Sequence, residues 1–420
     1  MKLKKAGILG LCGVLAAGAL AGCGATKQED GKLSGEVRYA FWDIAQQDYI
    51  EQCVAKFNEQ YPDVKIILEP STWKEYWTKL EAGATGGSIA DVFWMNGPNI
   101  QKYAAGDILM DLADRIEAAG IDTAKYPQAL VELYNVDGKQ YALPKDFDTI
   151  GVWYNKKIFD EANVPYPTSD WTWEDMVDIA RKLTKEDGSV YGISAGYNTQ
   201  AIIYDTIFAN GGTLITEDNK SGYHMPETRA GIQCWVDLFK EGVSPSQASF
   251  DETSYAVQFL SGRLAMSWNG SWFLAEVLDS DIKDDVGVAA LPTINGKRAS
   301  VIHGLGNCIY KGTKNPEAAW KWVEFLAGEE ANRISAETGA AIPAYEGTAD
   351  IWAQKHTEYD LPIFIEASKD YAYPHPASKN TAEWERYQEE EIKKAFNLQA
   401  DVDEVCDTLA VRMDEVLANE

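Results

Sequence analysis

Apolar and polar positions along the chain follow two periods, that of strands and that of helices. Apolar runs at 37–42, 64–68 and 91–95 predict buried strands, because they are short and rich in branched and aromatic side chains. Helical spacing recurs between these runs in two sets of residues, Ile50, Val54 and Phe57, then Trp73, Tyr76, Trp77 and Leu80. This β-α-β-α-β order predicts a largely parallel sheet covered by helices on both faces.

The remainder of the chain predicts a second lobe and a return to the first. Residues 141–154 are extended and interrupted by Pro144, which indicates a first crossing between lobes. Thr172 and Asp175 have the spacing of a capping box that starts a helix. Residues 300–310 predict a strand on a second crossing. The last predicted helix has one apolar stripe, formed by Val402, Val405, Leu409, Met413 and Val416.

The N-terminal segment predicts export. Three lysines among the first five residues precede an apolar run, 8–21, that is too short to span a bilayer. Residues 20–23, Leu-Ala-Gly-Cys, resemble a bacterial lipobox, whose cysteine becomes the acylated N-terminus after cleavage. Residues 1–22 are therefore expected to be a signal peptide, and lipidated Cys23 is expected to hold the protein on a membrane surface. The alternative is an ordinary secretory signal cleaved nearby.

Length and charge narrow the choice of fold and partner. The chain has 420 residues, and the part that follows the signal and a polar tether exceeds one usual core, which suggests two lobes. Its formal charge of −27 becomes −30 when the three lysines of residues 1–22 are removed. A chain with this much negative charge repels nucleic acid and anionic lipid head groups. Neither is therefore expected as a partner. Neutral or cationic small molecules fit better.

Cysteine and histidine spacing predicts neither a metal site nor a cofactor. The six cysteines include no CxxC pair, and the four histidines show no metal-ligand spacing. Disulfides are left open for an exported chain. The cysteines concerned are Cys53, Cys234, Cys308 and Cys406.

Aromatic residues are abundant, with 14 tryptophans and 21 tyrosines. A sugar exposes apolar C–H faces ringed by hydroxyls, so its site needs flat aromatic platforms beside carboxylates and amides. Ligands of parallel α/β sheets lie beyond the carboxyl ends of strands. The candidates are Trp42, Asp43, Trp94 and Asn96 in the first lobe, with Asp146, Asp148, Trp268, Asn269 and Trp272 in the crossing and the second lobe. For any single tryptophan the alternative is a core position.

Two further residues are candidates for the same site. Tyr197 begins a loop that enters a helix and could face the cleft, with a surface position as the alternative. His303 lies beside Gly304 on the second crossing, where glycine lets the backbone approach a ligand closely. The alternative for His303 is a hydrogen-bonded hinge residue.

Four segments together resemble a known family, the extracellular solute-binding proteins of bacterial ABC sugar importers, in the maltodextrin-binding-like group. The segments are residues 90–97 with 103–106, residues 143–159, residues 262–272, and residues 315–326 followed by 338–344. Their order and spacing carry the resemblance, which covers nearly all of the mature chain. Residues 270–272 read Gly-Ser-Trp where maltodextrin relatives often have Gly-Pro-Trp, so the resemblance does not specify the sugar.

The resemblance implies an α/β, two-lobe periplasmic-binding-protein-like (type II) fold, with a three-crossing hinge and a ligand cleft between the lobes. The expected division is a lipidated tether at 23–33, lobe 1 at 34–147 plus 303–348, and lobe 2 at 148–302 plus 349–420. By the same resemblance, Asp148 becomes an acidic sugar contact near the hinge, and Trp94 and Trp272 become aromatic platforms. Trp384 matches a further platform more loosely.

The function implied is capture of a sugar or short oligosaccharide by a lipid-anchored, extracytoplasmic monomer that delivers it to the transmembrane subunits of an ABC importer. The protein is accordingly expected not to be an enzyme and to contact the membrane only through its anchor. Capture would proceed by hinge closure, because contacts from both lobes exist only in the closed state.

Two alternatives stay open at this point. Asp146 and Asp148 alternate on an extended segment, as the carboxylate pair of an exported glycoside hydrolase could. The same scaffold could also bind a polyol, a peptide or a cation.

Overall fold

The computed structural model of this protein describes residues 33–420. The predicted signal peptide, Cys23 and nearly all of the predicted tether lie outside the described residues. Within 33–420, none of the helices combines the length and the apolar character needed to cross a bilayer.

Short strands and helices alternate along the whole described chain. The strands are β1 (Gly35–Phe41), β2 (Val64–Pro70), β3 (Val92–Asn96), β4 (Asn135–Val136), β5 (Lys139–Gln140), β6 (Ala142–Pro144), β7 (Asp146–Phe147), β8 (Ile150–Asn155), β9 (Tyr191–Ile193), β10 (Leu264–Gly270), β11 (Val286–Ala289), β12 (Ser300–Ile302), β13 (Leu305–Ile309), β14 (Ile342–Pro343) and β15 (Ala372–Pro374). The helices are α1 (Gln47–Gln60), α2 (Trp73–Gly86), α3 (Gly97–Ala105), α4 (Ala113–Ala119), α5 (Gln128–Leu133), α6 (Lys156–Ala162), α7 (Trp173–Leu183), α8 (Asp205–Ala209), α9 (Pro226–Lys240), α10 (Gln247–Glu252), α11 (Tyr255–Leu260), α12 (Phe273–Leu278), α13 (Pro316–Ala327), α14 (Glu329–Thr338), α15 (Ala349–Lys355), α16 (Pro362–Asp370), α17 (Thr381–Phe396) and α18 (Val402–Ala418).

The first lobe is built on a five-stranded sheet of order β2-β1-β3-β13-β6. The predicted parallel pairing is confirmed for β2, β1 and β3. For β13 the sequence predicted a strand without a direction, and the structure places it antiparallel to both of its neighbours. The reason lies in the register, because Leu305 at the start of β13 pairs with Asn96 at the end of β3. The returning chain thus enters this sheet at the carboxyl ends of its parallel strands.

The second lobe contains a four-stranded sheet of order β11-β8-β10-β9. Here β8 is antiparallel to both β10 and β11, and only β10 and β9 are parallel. Every residue of β8 and β10 is buried, so both faces of these central strands are covered.

Several predicted helices are confirmed in detail. Thr172 and Asp175 form the reciprocal hydrogen bonds of a capping box at the start of α7. Ile50 and Phe57 of α1 are buried in the first core, with Val54 packed at its edge. All five predicted stripe residues of α18 are buried in the second core.

Three chain segments cross between the two lobes and lie side by side. The first runs from β6 through β7 to β8, the second from β12 to β13, and the third contains β14, which pairs with β7. The first two segments pair where the Asp148 N–H donates to the His303 carbonyl at 2.8 Å and the His303 N–H returns a bond at 3.2 Å. This is the predicted hinge, while the residue boundaries of the lobes stay a prediction.

The four cysteines of the described part are unpaired, and Cys53, Cys308 and Cys406 are buried. Burial raises the pKa of Cys53 to about 12, so its thiol is not ionised at neutral pH. These three side chains act as small apolar core residues.

Trp322 anchors the first core, with its ring packed edge to face on Tyr39 and Phe57 and stacked on Phe325. We predict that Trp322→Ala lowers the free energy of unfolding by about 3–5 kcal/mol, because it leaves a large cavity. Urea titration would measure the change. As a control, Val411→Ala on the exposed face of α18 should change it by less than about 0.5 kcal/mol. Equal effects of the two substitutions would contradict this account of the core.

Candidate functional site

A cluster of aromatic rings covers the carboxyl edge of the parallel strands. Trp42 follows β1 directly, and its ring centre lies 5.2 Å from that of Trp94 in β3 and 5.1 Å from that of Trp73 at the start of α2. Tyr76 and Trp77 complete the cluster at 4.9 and 5.6 Å from Trp42. Most of these contacts are edge to face, the geometry that aromatic quadrupoles favour. Trp42 is half-buried and keeps exposed surface.

Beneath this cluster, a buried ammonium group connects the first lobe to the hinge. Lys145 Nζ lies 4.4 Å from the ring centre of Trp94, donates to Gln46 Oε1 at 2.8 Å and forms an ion pair with Asp146. Asp146 Oδ1 also accepts the backbone N–H of Leu305 at 3.0 Å. One buried charge pair therefore joins the first sheet, the first crossing and the second crossing.

The same network reaches Asp43. Gln46 Nε2 donates to Asp43 Oδ2 at 2.9 Å, and Asp43 Oδ1 accepts the N–H of Ala45 at 3.0 Å. Asp43 is thus the N-cap of the short helix 44–46 and also fixes the amide that binds Lys145.

A second polar group lies two residues further along the first crossing. Asp148 accepts a hydrogen bond from Gln200, and its Oδ2 lies 3.8 Å from His303 Nδ1. Burial raises the pKa of Asp148, an effect that His303 and Gln200 only partly offset. A carboxylate held this way is short of hydrogen-bond donors, which sugar hydroxyls could provide.

The Asp148–His303 contact continues into the second lobe through two more titratable groups. The rings of His303 and His375 are 5.7 Å apart, and His375 Nε2 lies 3.8 Å from Glu385 Oε1. Burial, with the nearby His303, lowers the pKa of His375 to about 3. Burial, with the nearby Glu389, raises the pKa of Glu385 to about 7. At neutral pH, His375 is therefore uncharged.

Trp272 is a half-buried indole of the second lobe, in the loop between β10 and α12. Its ring packs so closely over Gly270 that a Cβ there would lie 1.9 Å from it, so only glycine fits. The N–H of Ser271 donates to the carbonyl of Thr149 at 3.1 Å, which ties the loop before Trp272 to the residue after Asp148. Trp272 keeps exposed surface and caps the start of α12.

Helix α12 faces the first lobe. Desolvation, and after it the charge of Asp43, raises the pKa of Glu276 in α12. A cavity of about 450 Å³ lies here, lined by Ala45, Asp48 and Tyr49 of the first lobe, Ala275 and Glu276 of α12, and Gly339 with its neighbours. Its size is that of a small-molecule site, and its walls come from both lobes.

Comparison with known proteins decides the family. Residues 41–333, more than half of the chain, match the family model described as bacterial extracellular solute-binding protein. The chain belongs to this family. A galactooligosaccharide-binding protein of Bacillus subtilis is 24% identical over 361 residues, which cover 83% of this chain and 82% of the relative. A maltooligosaccharide ABC transporter solute-binding lipoprotein of Streptococcus pneumoniae is also 24% identical, over 91% of this chain and 90% of the relative.

Solved structures show the same architecture for this solute-binding protein. An ABC substrate-binding protein of Listeria monocytogenes, solved with cycloalternan, superposes with a TM-score of 0.85 at 25% identity, over 92% of this chain and 99% of that one. The GacH receptor of Streptomyces glaucescens gives a TM-score of 0.83 at 20% identity, over 92% and 99% of the two chains, and supports the fold alone.

Three predicted platforms of the solute-binding protein are corrected, because their indoles lie in the interior. Trp94 is fully buried, with Lys145 over its face and its N–H donated to Tyr39. Trp268 packs between Trp173 and Trp235, with its N–H 3.3 Å from the sulfur of Met176. Trp384 is buried within α17, and its N–H donates to Ser378 Oγ at 2.9 Å. None of the three presents a free face to a ligand in this structure.

The predicted amides and Tyr197 are also engaged with the protein. Asn96 is buried and accepts from Asn99 at 2.8 Å, and the buried Asn269 accepts the N–H of Gly270 at 2.9 Å. Tyr197 is half-buried, and its hydroxyl accepts from Gln388 at 3.1 Å. A ligand-binding role for these three residues stays a prediction, as it does for the hinge residues and for Trp42 and Trp272.

The structure adds site residues that the sequence analysis missed, namely Gln46, Lys145, Gln200, His375 and Glu385. Lys145 is adjacent to Asp146 in the predicted crossing, so the sequence could have identified it as a candidate site residue. Gln46, Gln200, His375 and Glu385 reach the site through contacts distant in sequence, which no local pattern marks. Among residues 33–420, no group of three or more His, Cys, Asp or Glu side chains could hold a metal ion.

Glu385 gives a pH-dependent prediction for stability. Because its pKa rises from an ordinary 4.5 to about 7 on folding, the folded state retains a proton that the unfolded state releases between these pH values. The contribution of Glu385 to the free energy of unfolding should therefore fall as the pH rises from 4.5 to 7. Glu385→Gln lacks this contribution, so the variant should gain about 1–3 kcal/mol over the wild type at pH 8, but little at pH 4.

Chemical denaturation at pH 4, 6 and 8 would check this prediction. The lowered pKa of His375 acts in the opposite direction between pH 3 and 6.5 in both proteins, so it largely cancels in the difference. Parallel pH profiles of the two proteins would show that the Glu385 carboxyl is not held in its neutral form.

Proposed function

We propose that this solute-binding protein captures a sugar or short oligosaccharide between its lobes and delivers it to the transmembrane subunits of an ABC importer. One observation carries the proposal, the polar network at the hinge, which consists of two groups that lie side by side. Asp43, Gln46 and Lys145 join the first lobe to Asp146 in the first crossing. Asp148, two residues on, contacts His303, whose ring lies beside His375 of the second lobe. A ligand held by both ends of this network would need the lobes closed upon it.

The chemistry of the surfaces at this network favours a sugar. Trp42 and Trp272 are half-buried indoles, one in each lobe. Trp42 directly precedes Asp43, and the loop before Trp272 is hydrogen-bonded to Thr149, the residue after Asp148. Indole faces match the C–H faces of pyranose rings, and carboxylates accept from hydroxyls. The ligands named for the relatives, galactooligosaccharide and maltooligosaccharide, support the same class.

Ligand binding would shift the protein from open to closed through the three crossings. Asp148 and His303 lie on two of these crossings. A sugar bound to them would therefore contact the hinge itself and favour one of its conformations. A shift from mostly open to mostly closed needs about 5.5 kcal/mol of differential affinity. Stacking on one or two indoles and several charge-assisted hydrogen bonds reach that magnitude.

The proposed cellular setting is extracytoplasmic, with the monomeric protein anchored by acylated Cys23. The family is extracellular, and the related protein of S. pneumoniae is named a lipoprotein, which supports this setting. We also propose the lobe division expected from the sequence, in which the chain crosses between the lobes near residues 147, 303 and 348.

The proposal treats the ligand as bound and released without chemical change. Asp146 is occupied by Lys145 and by the N–H of Leu305, so it is not free to serve as one of two hydrolytic carboxylates. Asp148 is different, because a ligand could replace its partners Gln200 and His303.

Trp272 offers the sharpest test. Trp272→Ala should weaken oligosaccharide binding tenfold or more in titration calorimetry, because it removes one stacking face of the closed site, roughly 1.4 kcal/mol or more. Trp268→Phe is the matched control, since this indole lies four residues away in the core and should affect stability rather than affinity.

One outcome would contradict the role of Trp272, and another would contradict the proposed function. Wild-type affinity in Trp272→Ala would remove this side chain from the site. Release of new reducing ends from the bound glycan by the wild type, lost in Asp148→Asn, would show that the protein is a hydrolase.

A further inference from the structure

Four tryptophans retain exposed surface, and three of them belong to one cluster. Of the 14 tryptophans, ten are buried, whereas Trp42, Trp73, Trp77 and Trp272 are not. Trp73 is the most exposed, at 51%. A single exposed indole is ordinary in a soluble protein. Three partly exposed indoles in one aromatic cluster, at the carboxyl edge of the parallel strands, are unusual and indicate an interaction surface.

The strand order explains how these rings are arranged. The sheet runs β2-β1-β3, and the residues that follow or end these strands include Trp73 after β2, Trp42 after β1 and Trp94 in β3. Their ring centres are 5.1 and 5.2 Å apart, close to the spacing of neighbouring strands. The three indoles thus form a row along the carboxyl edge, with its buried end at Lys145 and its exposed end at Trp73.

The fold does not need an indole at Trp73. It is the first residue of α2, and the capping box that starts this helix is made by Thr72 and Glu75. Its ring touches Trp42 and Trp77 edge to face and leaves half of its surface in water. Thr72, Lys74 and Glu75 around it are exposed and supply polar groups for hydroxyls.

We infer that Trp73 is an outer sugar subsite, which binds a ring of the ligand beyond the ring held at Trp42. This inference rests on the proposed function and makes it more specific: the preferred ligand is an oligosaccharide long enough to extend from the hinge along the edge of the sheet to Trp73. A mono- or disaccharide fills the inner part alone. The outer ring is bound by stacking, with hydroxyls directed to the polar residues at the start of α2.

The experiment compares short and long members of three glycan ladders. Maltose and maltotetraose, galactobiose and galactotetraose, and arabinobiose and arabinotetraose are titrated by calorimetry into the full-length wild type, Trp73→Ala and Trp73→Phe. Tyr166→Ala, an exposed aromatic packed on the second lobe, is the control.

In the ladder that binds, the wild type should prefer the tetrasaccharide. Trp73→Ala should lower tetrasaccharide affinity about fivefold to tenfold and change disaccharide affinity by less than about twofold. Trp73→Phe should retain part of the preference, and Tyr166→Ala all of it.

The outcomes separate the two claims. Equal loss for both lengths in Trp73→Ala, or no loss for either, overturns the outer subsite while capture of sugar stands. Equal wild-type affinity for the two lengths overturns it as well. If no ladder binds to the wild type, the proposed function itself fails and the subsite fails with it.

Discussion

The buried pair of Lys145 and Asp146 is the interaction on which the site depends. Both side chains are almost completely removed from water, which costs several kcal/mol per ion unless each finds close partners. Those partners come from separate parts of the chain: the face of Trp94 in β3, the amide of Gln46 before α1 and the N–H of Leu305 at the start of β13. The pair therefore fixes the first sheet and two crossings in one arrangement.

From this constraint the rest of the hinge follows by strand geometry. Side chains alternate along an extended segment, so Asp146 and Asp148 share one side while Phe147 points to the other. On that other side, Phe147 and Ile302 line a second cavity of about 650 Å³ with residues of both lobes, including Tyr126 and Ile365. The crossings thus separate a polar face, which meets the candidate ligand site, from an apolar face. Rotation of one lobe on the other must change the shape of both spaces together.

Local sequence patterns were enough to predict several elements and the first two crossings, while the third crossing was expected only from the family resemblance. Apolar runs predicted β1, β2 and β3, capping chemistry predicted the start of α7, and the interrupted extended segment predicted the first crossing. The direction of β13 could not be predicted the same way, because pairing direction depends on where the chain returns from the other lobe. A strand pattern alone carries no such information.

Because local patterns do not report tertiary packing, they identified some exposed tryptophans correctly and others wrongly. Trp42 and Trp272 follow strands, and both retain exposed surface, whereas Trp94 and Trp268 lie inside strands buried on both faces. In such strands no polar alternation marks the side that faces a cleft. Trp384 shows the corresponding ambiguity on a helix. Contacts such as Asp148 with Gln200, or His375 with Glu385, arise only from tertiary packing.

The central claim is that a sugar binds where the two lobes meet and closes them around the hinge. The most direct measurement is the distance between spin labels at Asp114→Cys on exposed α4 of the first lobe and Val257→Cys on exposed α11 of the second, with Cys234 replaced by serine. We predict that an oligosaccharide, once its binding is established by calorimetry, moves the distance distribution to a new position and narrows it. Saturating sugar that leaves the distribution unchanged would contradict it.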